Sequence, residues 1–168
     1  MHRLLAIYPG SFDPPTLGHL DVIERGHRIF PRLLVAVLRN ADKQAMFTAA
    51  ERVEMLREAT RHLEGVEVCD FQGLLVDFAR QRGAGVLVRG IRAISDYEYE
   101  FQMAWMNRRM SPDLETVFLM PGADFAYLSS RLVKEVAAGG RSVAGMVSPA
   151  VEARLQAKLA VKAGAGEV

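Results

Sequence analysis

Five short apolar runs recur along the chain, and longer stretches of mixed polarity separate them. The runs are hydrophobic at consecutive rather than alternate positions, which is typical of parallel strands that are buried on both faces. They occupy residues 4–8, 33–38, 66–71, 85–88 and 116–120. The pattern therefore predicts five β-strands in one parallel sheet.

The stretches between these runs have the length and spacing of amphipathic helices. After Thr16, a good N-cap residue, apolar positions recur three and four residues apart, which predicts a helix to residue 29. Thr48 and Glu51 stand three residues apart, which is the spacing of a capping box at the start of a second helix. Further helices are predicted at 74–80, 97–110, 129–138 and 148–162.

The alternation of strands and helices predicts the fold class. It is the pattern of a right-handed α/β domain: a Rossmann-like, doubly wound, five-stranded parallel sheet with helices on both faces and a C-terminal helix. The 168 residues suffice for one such domain, which we assign to residues 1–160, and we expect 161–168 to form a flexible tail. Ligands of such sheets bind at the carboxyl ends of the strands.

Composition narrows the classes of function. The chain has 21 lysines and arginines against 20 aspartates and glutamates, and this net charge of +1 gives no electrostatic basis for binding nucleic acid or a membrane surface. The single cysteine, Cys69, excludes an internal disulfide and a cysteine-rich metal site. No apolar run approaches the ~18 residues of a membrane span, and the first run reaches Pro9 too early for a signal peptide. The single cysteine also fits a reducing compartment.

The turn between the first strand and the first helix has the features of a phosphate site. Gly10 lets backbone approach a ligand, and the helix after Thr16 directs free N–H groups and the positive end of its dipole toward the space above the strand. A cation is disfavoured in a first helical turn, so His19 is better suited to donate a hydrogen bond to a phosphate. The spacing alone leaves open that these residues only build a turn, with His19 on the surface.

Cationic side chains follow two other predicted strands. Lys43 follows the second strand, and Arg89 and Arg92 follow the fourth, so a parallel sheet brings them to the same edge as the first turn. Guanidinium groups bind phosphate oxygens with paired hydrogen bonds. By themselves, Lys43 also fits a solvated lysine, and the arginines also fit surface ion pairs with Asp96 or Glu98.

Two later segments have both a structural and a functional interpretation. Ser129 or Ser130 can cap the helix that follows, and such a helix start can also bind the outer phosphates of a nucleotide. The aromatic and methionine residues of 97–110 are too many for one buried face. We therefore expect part of that helix to contact another subunit.

Together, these segments resemble a known family. Gly10-Ser11-Phe12-Asp13-Pro14 followed by Thr16-Leu17-Gly18-His19 is similar to the signature of the nucleotidyltransferase superfamily with a T/H-x-G-H motif. Four further motifs resemble bacterial phosphopantetheine adenylyltransferases, and the resemblance extends to Val136. The motifs are Arg89-Gly90-Ile91-Arg92, Asp96-Tyr97-Glu98-Tyr99-Glu100, Met106-Asn107-Arg108 and Ser129-Ser130-Arg131-Leu132-Val133-Lys134-Glu135.

The resemblance implies a reaction and its partners. The family transfers AMP from ATP to 4'-phosphopantetheine, giving dephospho-coenzyme A and pyrophosphate. Further implications are Mg²⁺ carried by the ATP phosphates without protein ligands, a cytoplasmic location, a homohexamer and feedback binding of coenzyme A. Neither nucleic acid nor membrane is expected as a partner.

The resemblance also implies roles for individual residues. His19 is expected to stabilise the transition state, with Lys43 and Arg92 also in the catalytic set. Ser11, Lys43, Leu75 and Arg89 are expected at the acceptor. The residues expected at ATP are Ser11, Phe12, His19, Gly90, Ile91, Arg92, Glu100, Phe125, Ala126, Tyr127, Leu128, Ser129, Ser130 and Arg131. The chain departs from many members at Ser11, where they have threonine, and from some at Arg131, where they have a third serine.

Two other functions stay open at this point. An adenylyltransferase acting on nicotinate mononucleotide would use a similar first turn, although the segment from Arg89 to Arg109 does not suit a pyridine nucleotide. A non-catalytic sensor of adenine nucleotides would share the fold. A sensor, however, needs no cations for the phosphate of an acceptor.

Overall fold

The computed structural model describes residues 4–39 and 45–165, and at its centre lies one sheet of five parallel strands. The strands are β1 (Leu5–Gly10), β2 (Arg32–Leu38), β3 (Val66–Phe71), β4 (Val86–Gly90) and β5 (Glu115–Leu119). Their order in space is β3-β2-β1-β4-β5, so that β1 pairs with both β2 and β4. The predicted five-stranded parallel sheet is confirmed.

Helices connect the strands and follow the last one. The described residues form α1 (Leu17–Ile29), α2 (Ala49–Thr60), α3 (Leu75–Arg82), α4 (Ile94–Met110), a 3₁₀ helix (Ala123–Phe125), α5 (Ser130–Ala138) and α6 (Pro149–Ala165). Thr16 and Thr48 cap α1 and α2 in capping boxes, as predicted for Thr48 with Glu51. None of these helices combines the length and the apolar character needed to cross a membrane.

Two helix boundaries differ from the sequence prediction by three residues, and the others by at most two. Helix α4 begins at Ile94 rather than at residue 97, because an ion pair of 2.9 Å between Arg92 and Asp96 holds its first turn. Helix α6 reaches Ala165 and so enters the segment predicted as a tail, since alanine is the strongest helix former. The flexibility of 161–168 stays a prediction, and residues 166–168 lie outside the described part of the chain.

Both faces of the sheet are buried, as the continuous apolar runs predicted. Helices α1 and α2 cover one face, where Val22 and Leu56 pack against alternate residues of β1 and β2. Helix α3 covers the other face through Val76 and Ala79, and α4 contacts α3 and β5. The chain therefore leaves β1 toward one face of the sheet and leaves β4 toward the other, which opens a cleft above the carboxyl ends of these two neighbouring strands.

A third apolar cluster joins the helices that follow the sheet. It contains Phe47 just before α2, Met55 of α2, Val133 of α5 and Leu155 of α6, which pack together and are almost fully buried. Salt bridges of Lys158 to Glu51 (2.8 Å) and of Arg154 to Glu54 (3.0 Å) reinforce the contact between α6 and α2. Since α5 starts at the edge of the cleft, this cluster fixes the position of its first turn.

Leu155→Ala should lower the free energy of unfolding by about 2–5 kcal/mol, because the side chain is fully buried and its removal leaves a cavity. Val161→Ala is the matched control on the same helix, since Val161 is 73% exposed, and it should change stability by less than about 0.5 kcal/mol. Urea denaturation of the two variants measures the difference. Equal losses would contradict the role assigned to the third cluster.

Candidate active site

The turn after β1 is shaped by the aromatic ring of Phe12. Phe12 is 2% exposed and has a left-handed backbone with φ +50°. Its ring lies edge-on to Tyr8 and His19, with centroids 5.3 and 5.1 Å away. A Cβ atom on residue 10 would lie 2.9 Å from the ring, so glycine is required at Gly10 to seat Phe12 as well as to admit a ligand.

His19 is a neutral hydrogen-bond donor rather than a cation. The backbone N–H of Thr16 donates to Nδ1 of His19 at 3.0 Å, which completes the capping box and leaves the ring proton on Nε2. Burial, reinforced by the charges of Arg92 and Arg89, lowers the pKa of His19 from 6.5 to about 4. This geometry is consistent with the expected role as a donor to phosphate. The Thr16 backbone fixes Nδ1, and Nε2–H can donate a hydrogen bond to a ligand.

A cavity of about 270 Å³ lies above the ends of β1 and β4. Its wall combines the first turn, the end of β4 and the start of α5. The predicted ATP residues that line it are Ser11, Phe12, His19, Gly90, Arg92, Glu100, Leu128, Ser129 and Ser130. We call it the first cavity.

A second cavity of about 460 Å³ adjoins the first one. Its apolar wall consists of Leu38, Phe71, Leu75 and Met103, and Leu75 is one of the residues predicted at the acceptor. The residues common to both cavities are Pro9, Gly10, Ser11, Arg89 and Glu100. An apolar channel and a polar pocket therefore meet at the end of β1.

The two arginines of this site are each paired with a carboxylate. Arg89 donates to both carboxylate oxygens of Glu100 and, at 2.7 Å, to the carbonyl of Pro9. Burial alone would lower the pKa of Arg89, but the hydrogen bond and charge of Glu100 outweigh it and raise that pKa. Arg92 pairs with Asp96 and donates to the carbonyl of Leu128 at 2.5 Å. The ion pair with Asp96 that the sequence left open does form, within the first cavity.

The start of α5 also has the predicted cap. The Ser129 hydroxyl accepts from the backbone N–H of Leu132 at 3.0 Å, and the Ser130 hydroxyl donates to the carbonyl of Pro14 at 2.8 Å. Both serines line the first cavity. Capping and anion binding are compatible here, since the cap engages one of the free N–H groups at the helix start and leaves others for a ligand.

Several predicted residues lie elsewhere. Of the predicted ATP residues, Ile91, Phe125, Ala126, Tyr127 and Arg131 do not line either cavity, as far as the described residues define the walls. The side chain of Arg131 is 89% exposed and pairs with Glu135 at 2.8 Å. Lys43, predicted at the acceptor and in catalysis, lies outside the described residues. The roles assigned to all the predicted site residues stay predictions, and for these six the described cavity walls add no support.

The sequence interpretation missed a buried polar layer beneath the first turn. Asp13 accepts from the backbone N–H groups of Met46 and Phe47 (3.0 and 2.9 Å) and from Lys134 (3.0 Å). Arg52, only 5% exposed, donates to the carbonyl of Ser11 at 2.6 Å. Asp13 lies within a quoted motif, but Arg52 had no signal beyond its place in an amphipathic helix, where a charged residue is expected to face water.

No metal site is apparent in the described part of the chain. No three side chains of His, Cys, Asp or Glu converge there. The two carboxylates that border the first cavity, Asp96 and Glu100, are held by arginines.

The lowered pKa of His19 predicts how stability depends on pH. The unfolded chain takes up this proton near pH 6.5 and the folded chain only near pH 4, so protonation favours the unfolded state between these values. Stability contributed by neutral His19 should be complete above pH 6.5 and be lost as the pH falls toward 4. Urea denaturation of the wild type and of His19→Gln at several pH values isolates this contribution, because glutamine keeps the capping box but does not titrate. Identical pH dependences would contradict the neutral, buried imidazole.

Comparisons with known proteins agree with this geometry. The family model described as cytidylyltransferase-like matches residues 7–136. The chain is 50% identical over 155 residues to the phosphopantetheine adenylyltransferase of Desulfosudis oleivorans, and 53% identical over 154 residues to that of Heliobacterium modesticaldum, with 92% of both chains covered in each case. A Vibrio parahaemolyticus crystal structure, assigned provisionally as a nicotinate-nucleotide adenylyltransferase, has the same fold with a TM-score of 0.69 over 94% of each chain at 18% identity. From the motifs, the paired cavities and these relatives, we conclude that the chain belongs to the phosphopantetheine adenylyltransferase family, enzymes of the nucleotidyltransferase superfamily.

Proposed function

We propose that this enzyme transfers the adenylyl group of ATP to 4'-phosphopantetheine, giving dephospho-coenzyme A and pyrophosphate by direct in-line attack. The observation that carries the proposal is the junction of two unlike cavities at Ser11 and Arg89. A transfer between a nucleotide and a phosphate on a flexible arm requires two sites that meet where the new bond forms. The named relatives support the same reaction.

The first cavity suits the phosphates of ATP. It gathers Nε2 of His19, the guanidinium of Arg92 and the N-terminus of α5, which are all hydrogen-bond donors. Ser129 and Ser130 hold the first turn of α5 in place. On the basis of the family resemblance alone, we also assign five further residues to the nucleotide: Ile91, Phe125, Ala126, Tyr127 and Arg131.

The second cavity suits the pantetheine arm. Leu75 and Phe71 offer apolar contact to its methylene and dimethyl groups, and Asn107 brings a side-chain amide to a chain that itself contains amides. Arg89, at the shared wall, is the cation for the acceptor phosphate, and Glu100 orients its guanidinium. We assign Lys43 as the second cation at this phosphate.

The proposed chemistry needs no covalent enzyme intermediate. An oxygen of the acceptor phosphate attacks the α-phosphorus of ATP, and a phosphorus–oxygen bond forms. The bond from the α-phosphorus to the bridging oxygen breaks, and its electron pair leaves with pyrophosphate. Because the attacking oxygen is already ionised, no general base is required.

The barrier to overcome is repulsion between anions. Two unit charges 4 Å apart repel by about 4 kcal/mol at an effective dielectric constant of 20. Donors fixed before the substrates arrive offset this repulsion without reorganising during the reaction. His19 is such a donor, because Thr16 fixes its ring, and Nε2–H is then free for the oxygen on which charge grows. Mg²⁺ bound by the ATP phosphates supplies further charge neutralisation.

The proposal also covers the location, the oligomeric state and the regulation of the enzyme. We assign it to the cytoplasm and to a homohexamer, with coenzyme A as a feedback ligand of the same two cavities. Exposed apolar side chains of α4 support association: Trp105 is 60% exposed and Met106 53% exposed. Isolated large apolar residues are common on surfaces, but several of them on one helix indicate a contact surface.

The proposed reaction is tested by its acceptor. With ATP and 4'-phosphopantetheine, the enzyme should release pyrophosphate and form dephospho-coenzyme A. With nicotinate mononucleotide, the rate should be at least about 100-fold lower, because a pyridine nucleotide leaves the apolar second cavity unfilled. Pyrophosphate release and chromatography of the products measure both. A preference for nicotinate mononucleotide would establish the alternative enzyme, and tight ATP binding without pyrophosphate from either acceptor would favour the sensor.

His19→Ala and His19→Gln test the role of the His19 donor. His19→Ala removes the Nε2–H donor, so kcat should fall about 10²–10³-fold while KM for ATP changes only a few-fold. His19→Gln should keep near wild-type stability and lose less activity, because glutamine can complete the capping box and also carries an amide N–H donor. His62→Ala is the matched control, since its side chain is 58% exposed. Wild-type kcat in His19→Ala would contradict the role of this donor.

A further inference from the structure

A buried arginine lies directly beneath the turn that separates the two cavities. Arg52 belongs to α2, whose residues do not line either cavity as described, and it is 5% exposed. Burial lowers its pKa, and the charges of Asp13 and Asp70 oppose that effect. Placing a guanidinium there is costly unless its donors are satisfied. The proposed reaction does not by itself explain why an arginine is buried at this position.

Within the described residues, every hydrogen bond of Arg52 ends on a backbone carbonyl. Nη1 donates to Ser11 at 2.6 Å and to Leu38 at 3.3 Å, and Nε donates to Thr48 at 3.3 Å. One rigid guanidinium therefore joins the first turn, the end of β2 and the start of α2. The shortest of these bonds is the one to the turn.

The bond to Ser11 fixes more than a carbonyl. The peptide unit between Ser11 and Phe12 is trans and planar, so its C=O and N–H point in opposite directions. With the carbonyl held by Arg52 below the turn, the N–H of Phe12 points to the opposite side. Among the described residues, that N–H has no acceptor, and Ser11 and Phe12 both line the first cavity.

The backbone of Phe12 is a second, independent sign of an imposed conformation. Its φ of +50° lies in a region that aromatic residues rarely adopt, and such conformations persist only when the surroundings enforce them. The Phe12 ring is held between Tyr8 and His19, and the preceding carbonyl is held by Arg52. The turn is therefore fixed from its buried side.

We propose that Arg52 is a positioning residue for adenylyl transfer, which holds the Ser11–Phe12 peptide so that the Phe12 N–H and the Ser11 side chain face the phosphates at the junction of the cavities. Arg52 acts through the turn and does not touch substrate. The inference rests on the proposed function, because the phosphates it serves are those of ATP and its acceptor. The inference adds to the proposed function a residue of α2, a helix that does not line either cavity as described.

The test compares two arginines of α2. Arg52→Lys keeps the charge but replaces the rigid fork by a single ammonium, and Arg52→Met removes both. Arg57→Met is the matched control: Arg57 also donates to a backbone carbonyl, that of Val68 at 3.0 and 3.3 Å, but away from the cavities. For each variant, we would measure kcat, KM for both substrates, the dissociation constant of ATP by calorimetry and the thermal unfolding midpoint.

The expected result is a loss of turnover that stability does not explain. Misplacing a donor by about 1 Å costs on the order of 100-fold, so kcat/KM for ATP should fall about 100-fold in Arg52→Met and at least about 10-fold in Arg52→Lys, with weaker ATP binding. Arg57→Met should stay within about threefold of the wild type, since it leaves the turn intact. If Arg52→Met fails to fold, Arg52→Lys carries the comparison.

Two results would overturn the inference. One is wild-type kcat and KM per folded molecule in Arg52→Lys together with a lowered unfolding midpoint, which is the signature of a merely structural residue. The other is an equal loss of turnover in Arg57→Met. A wild-type enzyme that binds ATP but makes no pyrophosphate from phosphopantetheine would instead refute the proposed function. The ATP dissociation constants would then decide the role of Arg52: weaker binding in Arg52→Lys than in Arg57→Met would support it, and equal binding would overturn it.

Discussion

The pairing of β1 with β4 is the constraint on which the rest of the site depends. These strands are neighbours at the centre of the sheet, yet the chain leaves them toward opposite faces. Backbone cannot fill the space between two diverging segments, so a cleft forms there without any special side chain. The first turn divides the cleft, because Gly10 and Ser11 rise from its floor and face both cavities. Sheet topology thus supplies the two compartments, and side chains supply only their chemistry.

Among the described residues, the resting site is close to electrically neutral despite its cations. Arg89 is matched by Glu100, Arg92 by Asp96, and His19 carries no charge near neutral pH. These pairings keep the guanidinium groups extended and oriented before a ligand arrives, which reduces the entropy lost on binding. They also mean that an incoming phosphate competes with a carboxylate for the same donors. In its described part, the site therefore offers its substrates oriented donors rather than an excess of positive charge.

Much of the fold and a good part of the site could be predicted from the sequence, and the reasons differ. Continuous apolar runs specify buried parallel strands, and capping residues such as Thr48 specify helix starts, because both are local patterns. Parallel strands also bring residues of distant segments, such as His19 and Arg89, to one edge. The ion pair of Arg89 with Glu100 and the burial of Arg52 were not predictable, because they depend on which side chains meet across elements. No residue spacing reveals that a charged side chain of an amphipathic helix turns inward.

The two compartments also differ in their vulnerability to oxidation. Met103 borders the second cavity and is 37% exposed in the single chain, whereas the described wall of the first cavity contains no methionine. Conversion of its thioether to a sulfoxide replaces an apolar, flexible group with a polar one. Peroxide or long storage would therefore damage the second cavity of this enzyme and spare the first, and a methionine sulfoxide reductase would reverse the damage.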